Sequence, residues 1–209
     1  MKKIFLNIIF CVFSFNLQAK SLYSPTLNFS LGVYNMTVDE SESTLQATDS
    51  TVIVPDEEIF TGLDVSAISL EVSYESFLSS RNSLLVSGGI PFSSEDGVGK
   101  YYLSVGTNYY INPVGSVLSF SDLRSQIVTI PTFKYYIGAN LSVGYLIYNT
   151  VSAKKSDVVL DVGFSAGAVY NMSKDWGVGG EVKILRGIGV ATSSTTFSGM
   201  VGLTYNFNS

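Results

Sequence analysis

Histidine is absent from the 209 residues, and only 14% of them are charged, against about 25% in an ordinary soluble domain. Without histidine the chain lacks the usual base of nucleophilic triads and the commonest transition-metal ligand. So little charge leaves too few side chains to cover a water-facing surface. The balance is acidic, with a net charge of −5 and a pI of about 4.6, which excludes nucleic acid as a partner. The single cysteine, Cys11, lies near the amino terminus, so the rest of the chain forms no disulfide. No run of about 18 apolar residues follows the amino terminus, which excludes a helical membrane protein. The glycine-rich pieces Gly177-Val178-Gly179-Gly180 and Gly187-Ile188-Gly189 lack the Lys-Ser/Thr of a phosphate loop. No cofactor is expected.

The first residues read as an export address. Met1-Lys2-Lys3 is basic, Ile4 to Phe15 is an apolar core of signal-peptide length, and Ala19 and Ser21 fit the small-x-small cleavage rule. Residues 1–21 are therefore expected to be removed, leaving 22–209 as one domain. Ile9-Phe10 before Cys11 is not a lipidation signal.

The remainder alternates apolar and small polar residues with a period of two, in stretches of about ten. Leu27, Phe29, Leu31 and Val33 oppose Asn28, Ser30, Gly32 and Tyr34; Ile68, Leu70, Val72 and Tyr74 oppose Ser69, Glu71 and Ser73. The cleanest stretch sets Tyr135, Ile137, Ala139, Leu141, Val143, Tyr145 and Ile147 against Tyr136, Gly138, Asn140, Ser142 and Gly144. Further stretches cover 84–92, 101–111, 158–168, 176–184 and 197–207. Such alternation predicts eight strands. The polar face holds mostly Gly, Ser, Asn and Thr, which suit the narrow interior of an eight-stranded barrel. The apolar face then meets lipid, and a closed sheet leaves no backbone group unpaired there. The expectation is an all-β, antiparallel, up-and-down transmembrane barrel.

Short turns fall at 79–82 and 171–175, and a long connection, 37–63, on the opposite rim. The segment 113–131 is long on the short-turn side; a helical turn within 114–126 and a strand start at 127–131 are expected. Aromatics gather at the short-turn end of the strands: Tyr74 and Phe77, Tyr109 and Tyr110, Phe133 and Tyr135, Tyr170, Trp176, Tyr205 and Phe207. They read as a headgroup girdle.

Two charge constellations stand out. On the inward face lie Glu71, Glu75, Lys134, Asp161, Glu181 and Lys183. In a narrow lumen they must pair into a network, because burying a lone charge is costly; the other use of surplus acids is to line a cation-preferring pore. The long connection carries Asp39, Glu40, Glu42, Asp49, Asp56, Glu57 and Glu58, and no Lys or Arg occurs between Lys20 and Arg81. Asp39-Glu40-Ser41-Glu42 lacks the spacing of a calcium loop, so a solvated surface loop, free to touch a partner, is expected and no metal. Thr51 to Val54 within it reads as a short strand.

In pattern and topology, residues 26–207 resemble the small OmpA/OmpX-type outer-membrane barrels of Gram-negative bacteria. The closing stretch, Phe197 to Phe207, is similar to the terminal strand that the barrel-assembly machinery recognises, although Asn208 and Ser209 follow the aromatic. The resemblance implies an outer-membrane location, lipid and the assembly machinery as partners, and no catalysis. Barrel enzymes of that membrane use histidine, which this chain lacks. The expected role is structural or surface-interacting, through 37–63, with the surface partner unidentified. Two alternatives stand beside it: a narrow cation-preferring pore, and a soluble exported barrel that carries an apolar ligand in its centre.

Overall fold

The computed structural model describes residues 24–40, 62–93, 98–119, 126–149 and 154–207. The expected leader 1–21, the strand at 51–54, and Glu42, Asp49, Asp56, Glu57 and Glu58 lie outside them. Among the described residues every regular element is a strand: β1 (Thr26–Glu40), β2 (Leu63–Phe77), β3 (Asn82–Ser93), β4 (Gly99–Tyr110), β5 (Ser116–Ser119), β6 (Gln126–Thr129), β7 (Phe133–Asn149), β8 (Lys154–Asn171), β9 (Trp176–Gly189) and β10 (Thr192–Asn206). Eight of them close into an antiparallel barrel in the order β1-β10-β9-β8-β7-β4-β3-β2. β5 and β6 form a separate two-stranded sheet.

The register fixes the geometry of closure. From Leu27 the paired residues run through Tyr74, Val86, Val105, Leu141, Val162, Arg186 and Thr195, and the circuit returns to β1 at Thr37, ten residues from its start. That stagger tilts the strands by roughly 40° to the barrel axis. Each residue then adds about 2.5 Å of height.

Alternation sets the two faces. Leu141 and Val143 are exposed on the outside, whereas Asn140 and Ser142 are buried inside. The soluble barrel with an apolar centre is thereby excluded: its apolar face would have to point inward. The outward face forms a belt. On β7, Tyr135 and Tyr145 stand ten residues apart with Ile137, Ala139, Leu141 and Val143 between them, a span of about 25 Å, which is the height of the apolar band of an outer-membrane barrel.

Above the belt the two faces exchange polarity. On β1 and β2 the inward residues become Tyr34, Met36, Val38, Val65 and Ala67, joined by Val98, Leu146, Tyr148 and Val159 in one apolar cluster. Their outward neighbours are polar: Ser66 Oγ donates to Asn35 Oδ1 at 2.6 Å and Thr37 Oγ1 to Asp64 Oδ1 at 2.7 Å. The period is unchanged; the solvent has changed from lipid to water, so the apolar face turns in. The alternation read from the sequence covers the belt and stops short of Met36, Val38, Val65 and Ala67.

The connections differ from expectation in two places. β1 runs through Glu40 and β2 starts at Leu63, so Thr37 to Glu40 are strand, not loop. Asp39 Oδ1 accepts from Gly62 N at 3.1 Å, and Gly62, at φ 81°, takes the left-handed conformation that favours glycine. In the segment 111–132 the described residues show a β5–β6 hairpin in place of a helical turn. Residues 126–129 pair with β5 and do not begin β7. Two prolines, Pro113 and Pro131, bracket this hairpin and separate its pairing from that of the barrel. The turns 78–81 and 172–175 lie at the end of the barrel where β1 starts and β10 ends, the end expected to be periplasmic, which also carries the long connection 111–132. Ser79 and Ser173 hold these turns, accepting at Oγ from Asn82 N and from Trp176 N, each at 3.0 Å.

Candidate functional site in the barrel lumen

All six inward charges singled out by the alternation point into the lumen, on β2, β7, β8 and β9. Lys183 stands at the centre of one group. Its Nζ donates to Glu71 Oε1 and Oε2, both at 2.7 Å, and pairs with Glu181 Oε1 at 3.0 Å. Two tyrosines complete the shell: Tyr102 OH donates to Glu71 Oε2 and Tyr136 OH to Glu181 Oε2, the latter at 2.6 Å. Each ring lies over a glycine, Tyr102 over Gly89 and Tyr136 over Gly167, where a Cβ would strike the ring. The small residues of the inward face thus set where the hydroxyls reach.

A second pair, Lys100 with Asp161, lies nearer the outer end and is almost fully buried. Ser142 Oγ donates to Asp161 Oδ2 at 2.9 Å. Glu75 lies toward the periplasmic end and is held by neutral donors: Ser83 Oγ, Asn108 Nδ2 at 3.0 Å, Tyr110 OH at 2.9 Å and Thr26 Oγ1 at 3.4 Å. Lys134 sits beside Asn206 Oδ1 at 3.5 Å and 5.9 Å from the centroid of Phe77.

Lys100 and the inward Asp157 were not singled out from sequence, although the parity of their strands marks both. Lys100 is two residues before the inward Tyr102, and Asp157 four before Asp161. Asp157 secures the β9–β10 turn: its carboxylate accepts from Val158 N at 2.7 Å, Val190 N at 3.4 Å, Ala191 N at 3.0 Å and Thr192 Oγ1 at 2.8 Å.

Both ends of the lumen are apolar. The outer end is filled by the Tyr34–Val159 cluster, in which Leu146 and Val159 are 0% exposed. At the periplasmic end Phe77, Tyr110, Val114, Tyr136 and Val169 pack together, with the Tyr110 ring 5.5 Å from both Phe77 and Tyr136. Phe77 and Tyr110 were expected in the girdle; their positions on β2 and β4 have inward parity, so they close the mouth instead. Val114 N donates to Ser80 O at 2.8 Å, which draws the start of the long connection across the opening. Between the ends lies a polar cavity of about 40 Å³ bounded by Glu71, Glu75, Glu181, Asn28 and Asn108, room for on the order of three waters.

The remaining aromatics ring the outside of that end. Tyr109, Tyr135, Tyr170, Trp176 and Phe207 are exposed, and Tyr74 and Tyr205 half-buried. Phe133 lies 4.9 Å from Tyr170, and Trp176 4.9 Å from Tyr205, which lies 5.1 Å from Phe207. Of the acidic connection, Asp39 and Glu40 close β1, with Glu40 paired to Thr192 in the ladder.

No protein-family model matches the chain, and no curated protein matches it in sequence. Its fold aligns with the crystal structure of Neisserial surface protein A (NspA) at 10% identity and a TM-score of 0.51, covering 87% of this chain and 97% of that one. The N-terminal β-barrel domain of OprF from Pseudomonas aeruginosa aligns at 13% identity and a TM-score of 0.48, over 85% of this chain and 97% of that one. Ail of Yersinia pestis aligns at 12% identity and a TM-score of 0.40, over 89% and 100%. A closed antiparallel barrel with an apolar exterior belt places the chain in the outer membrane, and its fold is that of the small eight-stranded, OmpA/OmpX-type outer-membrane barrels.

Proposed function

We propose that this chain is a non-enzymatic outer-membrane scaffold with a closed lumen, and that it acts at the cell surface through its outer rim and the acidic connection 37–63. One observation carries the reading: apolar side chains fill both ends of the lumen, with Leu146 and Val159 fully buried at one and Tyr110 2% exposed at the other. Between them the carboxylates of Glu71, Glu75, Asp161 and Glu181 are taken up by internal donors, so they brace the barrel and leave no open carboxylate column for ions. Paired charges inside and apolar seals at the ends make a strut.

The surplus of lumenal acids over lysines favours the second reading, a narrow cation-preferring pore. Single-channel recording of the refolded mature protein in a planar bilayer separates the two. The scaffold is expected to be silent; discrete steps whose cation preference falls in the Glu71→Gln/Glu181→Gln double variant would overturn it. The surface role is tested by amide replacement of Glu42, Asp49, Asp56, Glu57 and Glu58. Cells displaying that variant are expected to lose attachment to a polylysine-coated surface, and unchanged attachment would remove the loop from the function.

A further inference from the structure

Arg186 is the one charged side chain on the outward face of the lipid belt among the described residues. It lies on β9, whose outward column runs Trp176, Val178, Gly180, Val182, Ile184, Arg186 and Ile188. Ten residues separate Arg186 from Trp176 in the periplasmic girdle. At about 2.5 Å of height per residue that is about 25 Å, the full height of the apolar band. Along the pairing Leu141–Val162–Arg186 the stagger places Arg186 about 4 Å below the level of Tyr145 on β7, in the outer part of the belt and within a side chain's reach of its margin.

Its surroundings are unusual for an arginine. Cross-strand it faces Val162 on β8 and Thr195 on β10, and along its own strand Ile184 and Ile188, which are 57% and 71% exposed. Nη1 donates to Thr195 Oγ1 at 2.5 Å. No carboxylate pairs with it among the described residues. The outward Asp64 is two strands beyond Thr195, and its Oδ1 is taken by Thr37 Oγ1 at 2.7 Å. A guanidinium offers five donors in a planar fork. Held at the edge of hydrocarbon with one neutral acceptor, it is left with donors aimed outward along an apolar surface. Such a charge is expensive unless an anion meets it.

We propose that Arg186, with Thr195, is a binding site for the phosphate of an anionic lipid in the outer leaflet. The phosphate lies at the level of the guanidinium and is taken by the free edge of the fork, a charge-assisted and two-pronged contact. The Thr195 hydroxyl, which accepts from Arg186, keeps its own proton for a phosphate oxygen. The acyl chains run down the β9 column of Ile184 and Val182, with Val162 of β8 beside it. Height, geometry and the apolar flanks together select a lipid phosphate over a dissolved one: a free phosphate gains nothing from Ile184 and Ile188 and must leave water to reach the site.

Native mass spectrometry of the full mature chain, refolded in detergent micelles, tests this with phosphatidylglycerol as the probe. Wild type is expected to retain phosphatidylglycerol and to release a neutral glucosyl-diacylglycerol. Arg186→Gln is expected to weaken phosphatidylglycerol retention about tenfold, the loss of a charged two-pronged contact. Arg186→Lys should keep part of it, because a point charge remains, and Thr195→Val should show a smaller loss. Folding of each variant is checked by its heat-dependent gel mobility, and the Lys and Val variants carry the comparison if the Gln variant does not fold. Equal retention by wild type and Arg186→Lys and Thr195→Val, or by Arg186→Gln where it folds, would overturn the proposal. So would displacement of the lipid by inorganic phosphate at equal concentration, which would show a site for the free ion.

Discussion

Lys183 is the residue whose removal the lumen is least able to absorb. It contacts two carboxylates, Glu71 and Glu181, and without it two acids face one another in a narrow space. Lys183→Met is expected to cost about 3 kcal/mol or more, because breaking a buried pair leaves an uncompensated charge. Neutralising the partners as well, with Glu71→Gln and Glu181→Gln, should restore much of that stability. Urea unfolding in lipid vesicles measures both; a single variant within about 0.5 kcal/mol of wild type would mean that water already solvates the group. Asp157 gives the pH dependence at the rim. It lies above the belt, thirteen residues from the girdle residue Tyr170, with Lys154 and Ser156 as outward neighbours on its strand. Burial pushes its carboxyl up, but hydrogen bonds from Ala191 N, Thr192 Oγ1, Val158 N and Val190 N outweigh burial and hold it below the ordinary aspartate value. A carboxyl depressed in the folded state stabilises fully above its unfolded value and loses that contribution as pH falls through the folded one. The β9–β10 turn should therefore loosen only below about pH 4. In Asp157→Asn the acid-dependent part of this loosening should vanish, read from proteolysis at Val190-Ala191 or from amide exchange there.

At the scale of the element, alternation decides what each strand shows to lipid. Cysteines placed one at a time at Asn140 and Leu141 in the folded, membrane-inserted protein make the test. A nitroxide carried on the Leu141→Cys position should be relaxed strongly by oxygen dissolved in the lipid and one on the Asn140→Cys position hardly at all, since Asn140 is 6% exposed and Leu141 45%. The reverse preference would place the apolar face inside. This much was legible in sequence because the period of two is a property of the backbone, and one register places every side chain of a strand. What the pattern does not carry is the medium beside each residue. Met36 and Val38 have the parity of Gly32 and Tyr34, so their inward direction follows from sequence. That they pack into an apolar cluster at the outer end of the lumen follows only from where the belt ends and water begins. The same limit applies to Phe77 and Tyr110, which are as aromatic as Tyr74 and Tyr109 and differ from them only in parity. The β5–β6 hairpin escaped because each strand has four residues, too few for alternation to declare itself. The ion pairs escaped in part because they join strands far apart in sequence: Lys100 and Asp161 meet across 61 residues, a distance fixed by the barrel's stagger and by no local motif.

The whole molecule is a barrel of fixed height in a solvent of fixed thickness. Eight strands with a ten-residue stagger leave a narrow interior, so its charges are met by ion pairs or by neutral donors, and the Tyr102 and Tyr136 rings lie over glycines. The outside obeys a different condition, a match between belt and hydrocarbon. On β7 the belt runs from Tyr135 to Tyr145 and on β9 from Trp176 to Arg186, about 25 Å in each case. This is several ångströms less than the roughly 30 Å of a typical bilayer core. Mismatch costs a fraction of a kcal/mol per ångström, and it is felt most during insertion, when the ends of the strands must cross. Spontaneous folding of the mature chain into vesicles should therefore be most complete in short-chain lipids whose hydrocarbon thickness is near 25 Å. The yield should fall steadily as the chains lengthen. Gel mobility across a series of saturated phosphatidylcholines would measure this, and a maximum in the thickest bilayers would show that the apolar collar residues Val158, Ile188 and Val190, all exposed, belong to the belt and that its upper edge lies above Arg186.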